Sequence, residues 1–298
     1  MSKICEEQSA YSGADAVLGR RVAIPTHYAP ELLQRVDRAG ARSELPHGEL
    51  LPRMAGVDVW HAYEASCLTV GGLPVVAILK VVLPSSSQWV VESKSLKLYL
   101  HSLMNEVLGE TPQEAIKALC TTVESDLGGL LDCSVAVVPH GRRGVDWDFG
   151  GYRCVDGNDE CSPFELAVQG GGMIYPQGAL DGLSTKLVTH LLRSNCPITG
   201  QPDWGDVYVR AEGGRPLHEE RFRDYVVGLR SEAHFHEAIC ERIFTDILWE
   251  YTPQRLMVVC LYTRRGGIDI CPCRATDNAM LPPRLVDAHV LTQGGFRS

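Results

Sequence analysis

Trp60-His61-Ala62-Tyr63-Glu64-Ala65-Ser66-Cys67 and Pro74-Val75-Val76-Ala77-Ile78-Leu79-Lys80-Val81-Val82 are two strand-like runs parted by Gly71-Gly72. Glycine pairs at such a break supply the positive φ of a tight turn, so the runs read as a β-hairpin. The second run is apolar almost throughout, which places it in the middle of a sheet. Beyond it, Val91 to Leu100 opens a helix expected to carry Leu96, Leu100, Leu103, Met104 and Val107 on one face. Thr111-Pro112-Gln113-Glu114 starts a second helix, with Thr as cap, Pro in the first turn and Glu three residues on. Ile116, Leu119, Cys120 and Val123 form its stripe, Gly128 is expected to stop it, and Cys133 to Val138 reads as the next strand.

The order strand–strand–helix–helix–strand then recurs. Leu187 to Ser194 and Asp206 to Arg210 are strands, and Glu219 to Leu229 takes the place of the first helix. His234 to Tyr251 is amphipathic with Phe235, Ile239, Ile243 and Ile247 spaced by four, and Arg255 to Thr263 is the returning strand. Cys67 to Glu92 spans 25 residues and Cys196 to Glu220 spans 24, so Cys67 is read as the mirror of Cys196. The fold expected is α+β, a duplicated unit of antiparallel strands with paired helices on one face. Its parts are an irregular arm over 1–55, a first unit over 56–140, a Gly-rich connector over 141–185 and a second unit over 186–298. Within the arm only Pro30 to Val36 suits a short helix.

Composition narrows the partners. The 298 residues carry 28 Lys and Arg against 37 Asp and Glu, a net −9 that argues against nucleic-acid binding by counterion release. Met1 to Glu7 holds Lys3, Glu6 and Glu7 with no apolar run behind, so no signal peptide is expected. No stretch has the ~20 apolar residues that span a bilayer. Eleven cysteines without a regular framework fit free thiols in a reducing cytoplasm.

Ser194-Asn195-Cys196-Pro197-Ile198-Thr199-Gly200-Gln201-Pro202-Asp203-Trp204-Gly205 is dense in turn residues and reads as a shaped loop. It can present the Cys196 thiol to a cleft with the Asp203 carboxyl nearby to move protons. The plainer reading is a buried cysteine and a turn-forming aspartate. Lys94 and Lys97 share a helix face near its start, which suits either a phosphate or a solvated basic face. Glu92 before them could accept two N–H bonds from a flat heterocycle. His236 and Glu237, expected on the side opposite Phe235, are a proton carrier and a ligand anchor or else ordinary helix-start polar residues. Arg264-Arg265-Gly266-Gly267 after a strand is a phosphate seat or a charged turn. Cys271-Pro272-Cys273 is too tight for a zinc knuckle and lacks a second pair, so no metal is expected. No GxGxxG follows a strand, which removes a Rossmann site.

Taken together, Glu92-Ser93-Lys94-Ser95-Leu96-Lys97-Leu98-Tyr99, Cys196 through Trp204, Phe235-His236-Glu237 and Arg265-Gly266-Gly267 resemble the 7-cyano-7-deazaguanine reductases, in their longer two-module form. The resemblance runs from about residue 15 onward. It implies two tandem tunnelling-fold units and an NADPH-dependent, four-electron reduction of a deazapurine nitrile to the aminomethyl base, in tRNA queuosine biosynthesis. It implies Cys196 as the nucleophile that forms a covalent thioimide, Asp203 as acid/base and His236 as its helper. Val91, Glu92, Ser93, His236 and Glu237 would bind the substrate. Ser93, Lys94, Lys97, Arg265 and Gly266 would bind NADPH. A cytoplasmic homodimer with a small-molecule substrate and neither nucleic acid nor membrane as partner is expected. Three rivals stand beside this: a zinc cyclohydrolase of the same fold, a nitrilase-type cysteine hydrolase and a non-catalytic purine- or pterin-binding module.

Overall fold

The structure is a computed structural model that describes residues 25–141, 150–156 and 184–292. Its elements in chain order are β1 (Arg35–Asp37), α1 (Arg38–Ser43), β2 (Ala55–Thr69), β3 (Pro74–Pro84), β4 (Trp89–Val91), α2 (Ser93–Ser102), β5 (Val107–Gly109), α3 (Pro112–Leu131) and β6 (Ala136–His140). They continue as β7 (Arg153–Cys154), β8 (Ser184–Asn195), β9 (Pro202–Glu212), α4 (Glu219–Gly228), α5 (His236–Tyr251), β10 (Arg255–Tyr262), β11 (Ile268–Ala275) and α6 (Pro283–Val286).

One sheet runs β6-β3-β2-β11-β10-β9-β8-β7, antiparallel except where β7 lies parallel to β8, and β5 pairs parallel with β2. Helices α2 and α3 pack Leu96, Leu100, Leu119 and Val123 on Trp60, Leu79 and Val81. Helices α4 and α5 pack Phe222, Ile239, Ile243, Phe244 and Ile247 on Val207, Val209, Val258 and Cys260. The period of two along β10 sends Met257, Val259 and Leu261 to the opposite face, where Met280 and Leu285 cover them.

Strand β11 was not foreseen, and it is the seam. It pairs with β2 over Ile268↔Ala62 to Ala275↔Ala55 and with β10 over Met257↔Ala275 to Val259↔Cys273, so the two repeats share one sheet. Cys271 and Cys273, two apart on this strand, both face the buried cluster and are free thiols, their titration pushed well above the usual range by burial. A buried ion network crosses the same seam: Arg274 meets Asp58 at 2.7 Å and Glu241 at 3.0 Å, while Arg42 Nε donates to Glu241 at 2.8 Å.

Several expectations change. The described part of the arm, from residue 25, is ordered: β1 pairs with β4, and Arg38 and Ala41 of α1 are buried. Helix α3 passes through Gly128 and ends at Asp132 with φ 51°, because Leu127 and Leu131 still have core to fill. Helix α2 stops at Ser102, so Met104 and Val107 leave the apolar face and are exposed, Val107 on β5. The 194–205 stretch is a loop only between Cys196 and Gln201, since β8 reaches Asn195 and β9 begins at Pro202. Helix α5 starts at His236, leaving His234 outside it.

The repeats carry matching irregularities. Between Ala62 and Ala65 the β2–β3 register slips, and between Thr189 and Leu192 the β8–β9 register slips likewise. The hairpins close alike, Thr69 N–H donating to Leu73 O at 3.0 Å and Cys196 N–H to Gln201 O at 2.8 Å. By that alignment Cys196 mirrors Thr69, while Cys67 mirrors Ser194; the spacing to the helix misplaces the pair by two residues because Glu92 caps α2 whereas His218, two residues before Glu220, holds that place on α4.

Candidate active site

The residues to which the resemblance gives roles all line one cleft at the seam, whereas Arg264, Gly267, Cys271 and Cys273 do not. The first repeat supplies Val91, Glu92, Ser93, Lys94 and Lys97, the second Cys196, Asp203, His236 and Glu237, and the β10–β11 turn Arg265 and Gly266.

The hairpin turn sets the thiol. Gly200, with φ 65°, lets its N–H donate back to Cys196 O at 2.9 Å, and a four-residue loop results. Ser194 lies opposite Asp203 in the β8–β9 register, so the pleat puts Ser194, Cys196 and Asp203 on one face. Asp203 is buried, which alone raises its pKa, but His236 Nε2 at 3.3 Å and the Arg265 guanidinium outweigh burial and hold the carboxyl below its usual range. Arg265 is anchored further, donating to Pro202 O at 3.0 Å and Gln201 Oε1 at 2.7 Å. It therefore braces the carboxylate and the Cys196 hairpin at once. His236 stacks on Tyr262 with ring centroids 3.9 Å apart, and Tyr262 OH lies 3.4 Å from Ser194 Oγ.

Glu237 forms the floor. It is 5% exposed, and its Oε1 is buried without a hydrogen-bond partner among the described residues. Burial, and then the charge of Asp58 beneath it, push its pKa up. Glu92 is the opposite case: Lys94 N–H and Ser95 N–H donate to its two oxygens at 2.9 and 2.6 Å, so it caps α2 while facing the cleft.

At the mouth, Gly266 has φ 58°, and a Cβ there would come within 3.4 Å of both the Lys94 and the Lys97 Nζ. Two ammonium groups thus converge on bare backbone, a cradle that fits the phosphates of a dinucleotide. Arg265, expected to share that duty, lines the same cleft and also donates to Asp203. Tyr262, Gln201 and Glu64 were missed. Glu64 holds Lys97 at 3.3 Å and His101 at 3.2 Å beside Gly267. Its one sequence signal is a charge in the middle of an otherwise buried strand.

Residues 24–138 match the family described as nitrile reductase, 7-cyano-7-deazaguanine-reductase N-term, and residues 202–280 match the family described as QueF-like protein. The NADPH-dependent 7-cyano-7-deazaguanine reductase of Acinetobacter baumannii is 36% identical over 268 residues, covering 90% of this chain and 95% of that protein. The protein of the same name from Chromohalobacter salexigens is 36% identical over 276 residues, covering 91% and 95%. This chain belongs to the 7-cyano-7-deazaguanine reductase family. As in any member of that reductase family, the nitrile chemistry must be traced to particular side chains, and here the cleft offers one thiol at its wall, a paired carboxylate beside it and an unpaired carboxylate below. Among the described residues, neither group of side chains close enough to hold a metal ion lines this reductase cleft.

Proposed function

We propose that this chain reduces the nitrile of 7-cyano-7-deazaguanine to the aminomethyl base with NADPH, through a covalent thioimide on Cys196, in queuosine biosynthesis. The observation that carries the reading is the orphaned Glu237 oxygen at the floor of the cleft whose wall holds Cys196 and Asp203. A flat base with adjacent N–H donors satisfies Glu237, with Val91, Ser93 and the lone pairs left on Glu92 around it.

From that pose the thiol meets the nitrile. Asp203, kept as a carboxylate by His236 and Arg265, takes the Cys196 proton; sulfur bonds to the nitrile carbon, and the proton passes to the nitrile nitrogen. NADPH, when bound, supplies the hydrides for the four-electron reduction. Ser93, Lys94, Lys97, Arg265 and Gly266 would hold it, the lysines and the bare backbone at Gly266 meeting its phosphates. The first hydride and a proton give a carbon that bears both the sulfur and an amino group. The carbon–sulfur bond then breaks as a proton passes from nitrogen to sulfur, leaving an imine and the Cys196 thiol. The second hydride and a second proton give the amine, with Asp203 and His236 relaying these protons. The largely apolar wall of Trp60, Ile268 and Ile270 limits water at the thioimide.

The continuous sheet supports a reading as two tandem tunnelling-fold units over 56–140 and 186–298, preceded by the 1–55 arm and joined by 141–185. The outer strands β6 and β7 end the described sheet, and a second copy pairing there makes the working unit a homodimer. Among the described residues no helix is long and apolar enough to cross a membrane. The free cysteines fit the cytoplasm, and the net charge fits a small-molecule substrate with no nucleic acid. The test is NADPH oxidation on adding 7-cyano-7-deazaguanine, with an aminomethyl product. Ammonia release without NADPH oxidation would make the chain a nitrile hydrolase instead.

A further inference from the structure

Tyr262 and Ser194 stand behind the cleft rather than in it: neither lines it, and they are 1% and 0% exposed. The strand period brings Tyr262 there. Leu256, Val258, Cys260 and Tyr262 of β10 alternate onto the face packed against α4 and α5, and Tyr262 is the last of the row. It meets α5 at His236, the first residue of that helix. Across the ladder its neighbour is Gly205 of β9, where a Cβ would lie 2.7 Å from Leu261 O and 3.2 Å from Tyr262 Cα. The missing side chain lets β9 close on β10, and Asp203, two residues earlier on the same face of β9, comes beside the Tyr262–His236 pair.

The pair itself is a close stack. The two rings lie 3.9 Å apart at their centroids with 25° between their planes, and His236 Nε2 faces Asp203 Oδ2 at 3.3 Å. An imidazole turns through a broad range about its last side-chain bond, so a nitrogen aimed at a carboxylate needs the ring plane held. The stack holds that plane. At its far edge the phenol meets the strand of the thiol: Tyr262 OH lies 3.4 Å from Ser194 Oγ, and Ser194 is two residues before Cys196 and opposite Asp203 in the β8–β9 register. Burial pushes the Tyr262 hydroxyl well above its usual range, so the ring stays neutral.

We propose that Tyr262 is a positioning residue for the reduction: its ring fixes the His236 imidazole against Asp203, and its contact with Ser194 couples that stack to the strand carrying Cys196. The proposal rests on the functional reading above. Thiol, acid/base and proton carrier keep one spacing because a single buried tyrosine meets β8, β9 and α5, which carry them.

The test is steady-state NADPH oxidation by the full chain with 7-cyano-7-deazaguanine. Tyr262→Leu removes the flat ring and should lower kcat about 10- to 100-fold, the scale of a displaced reacting group, with the substrate KM within about threefold of the parent. Tyr262→Phe keeps the ring and should keep kcat within about threefold. In the His236→Ala background, Tyr262→Leu should cost less than about twofold more, since the ring it acts through is gone. A tyrosine with a merely structural role would lower both backgrounds alike. Because Tyr262→Leu opens a gap in a packed core, NMR of the histidine-labelled parent gives a readout that does not need that variant to fold. The His236 ring-proton signal, assigned by its loss in His236→Ala, should be shifted upfield by the Tyr262 ring in the parent and in Tyr262→Phe. Parent-like kcat in Tyr262→Leu, equal losses in the two backgrounds, or an unshifted His236 signal overturns the proposal and leaves the functional reading standing. A parent that oxidises no NADPH with this nitrile overturns the reading, and the proposal with it.

Discussion

Hairpin β2–β3 and hairpin β8–β9 share a bulge, a closing hydrogen bond and a place against a pair of helices, yet they meet their polar groups differently. In the first, Thr69 stands where the second has Cys196, and Val75 lies where the second has Asp203. Helix α3 of the first repeat starts with a complete capping box between Thr111 and Glu114, whereas no side chain caps the start of α5. Glu92 is spent on the N–H groups of its own helix, whereas Glu237 keeps an oxygen unpaired. The first repeat satisfies its cleft carboxylate, although Trp60 Nε1 and His61 Nε2 on β2 are buried without a hydrogen-bond partner among the described residues. The second leaves the Glu237 carboxylate and the start of α5 unsatisfied beside the Cys196 thiol, and under the proposed function a ligand completes them. Buried unsatisfied groups are costly in a folded chain, so they persist where binding relieves them.

The contrast is tested most severely by exchanging its thiols. Cys196→Ala should abolish NADPH oxidation, whereas Cys67→Ala, at a fully buried strand position, should keep turnover and cost only about 1 kcal/mol in a denaturant melt. An active Cys196→Ala protein would erase the distinction between the repeats. Asp203→Asn keeps shape and removes the titrating group, so kcat should fall about 100-fold or more in steady-state assays.

Glu237→Gln should raise the substrate KM about 10- to 100-fold, the scale of a hydrogen bond to a charged group. Because burial raises the Glu237 pKa, its folded-state benefit belongs to low pH and fades as pH rises through that pKa. The Gln variant should therefore melt higher than the parent at alkaline pH. Substrate donors favour the carboxylate, so binding should strengthen with rising pH and release protons, measurable by calorimetry in buffers of different ionisation heat. Equal melting of the two proteins at every pH would show that Glu237 is not strained.

Lys94→Ala and Lys97→Ala should each raise the NADPH KM about 5- to 10-fold with kcat kept, as for single exposed phosphate contacts. Arg265→Ala should differ by lowering kcat as well, since it braces Asp203. The smallest effect is Thr111→Ala, which should cost about 1 kcal/mol of stability and leave both Michaelis constants alone.

Much of this was legible in the chain. Periodicity exposed the repeated unit, since helices of 10 to 20 residues with apolar stripes leave a strong trace. Most of the motif residues lie at element ends, where turn chemistry is readable, and Lys97, in the middle of α2, shares the helix face of Lys94. Strand β11 was hidden by Pro272 and by two cysteines that invited a metal reading, and only its pairing to both β2 and β10 reveals the seam. The ordered arm was hidden by its prolines, and Arg38 is held by Asp58 rather than by any local pattern. Glu64 and Tyr262 depend on contacts across tens of residues, which no local window contains.

The most direct test of the account is the mass of the protein after incubation with 7-cyano-7-deazaguanine and no NADPH. The chain should gain the mass of the ligand, the adduct should map to the peptide containing Cys196, and NADPH should then discharge it as the aminomethyl base. An adduct mapping to Cys67, Cys271 or Cys273, or turnover without any adduct on Cys196, would contradict it.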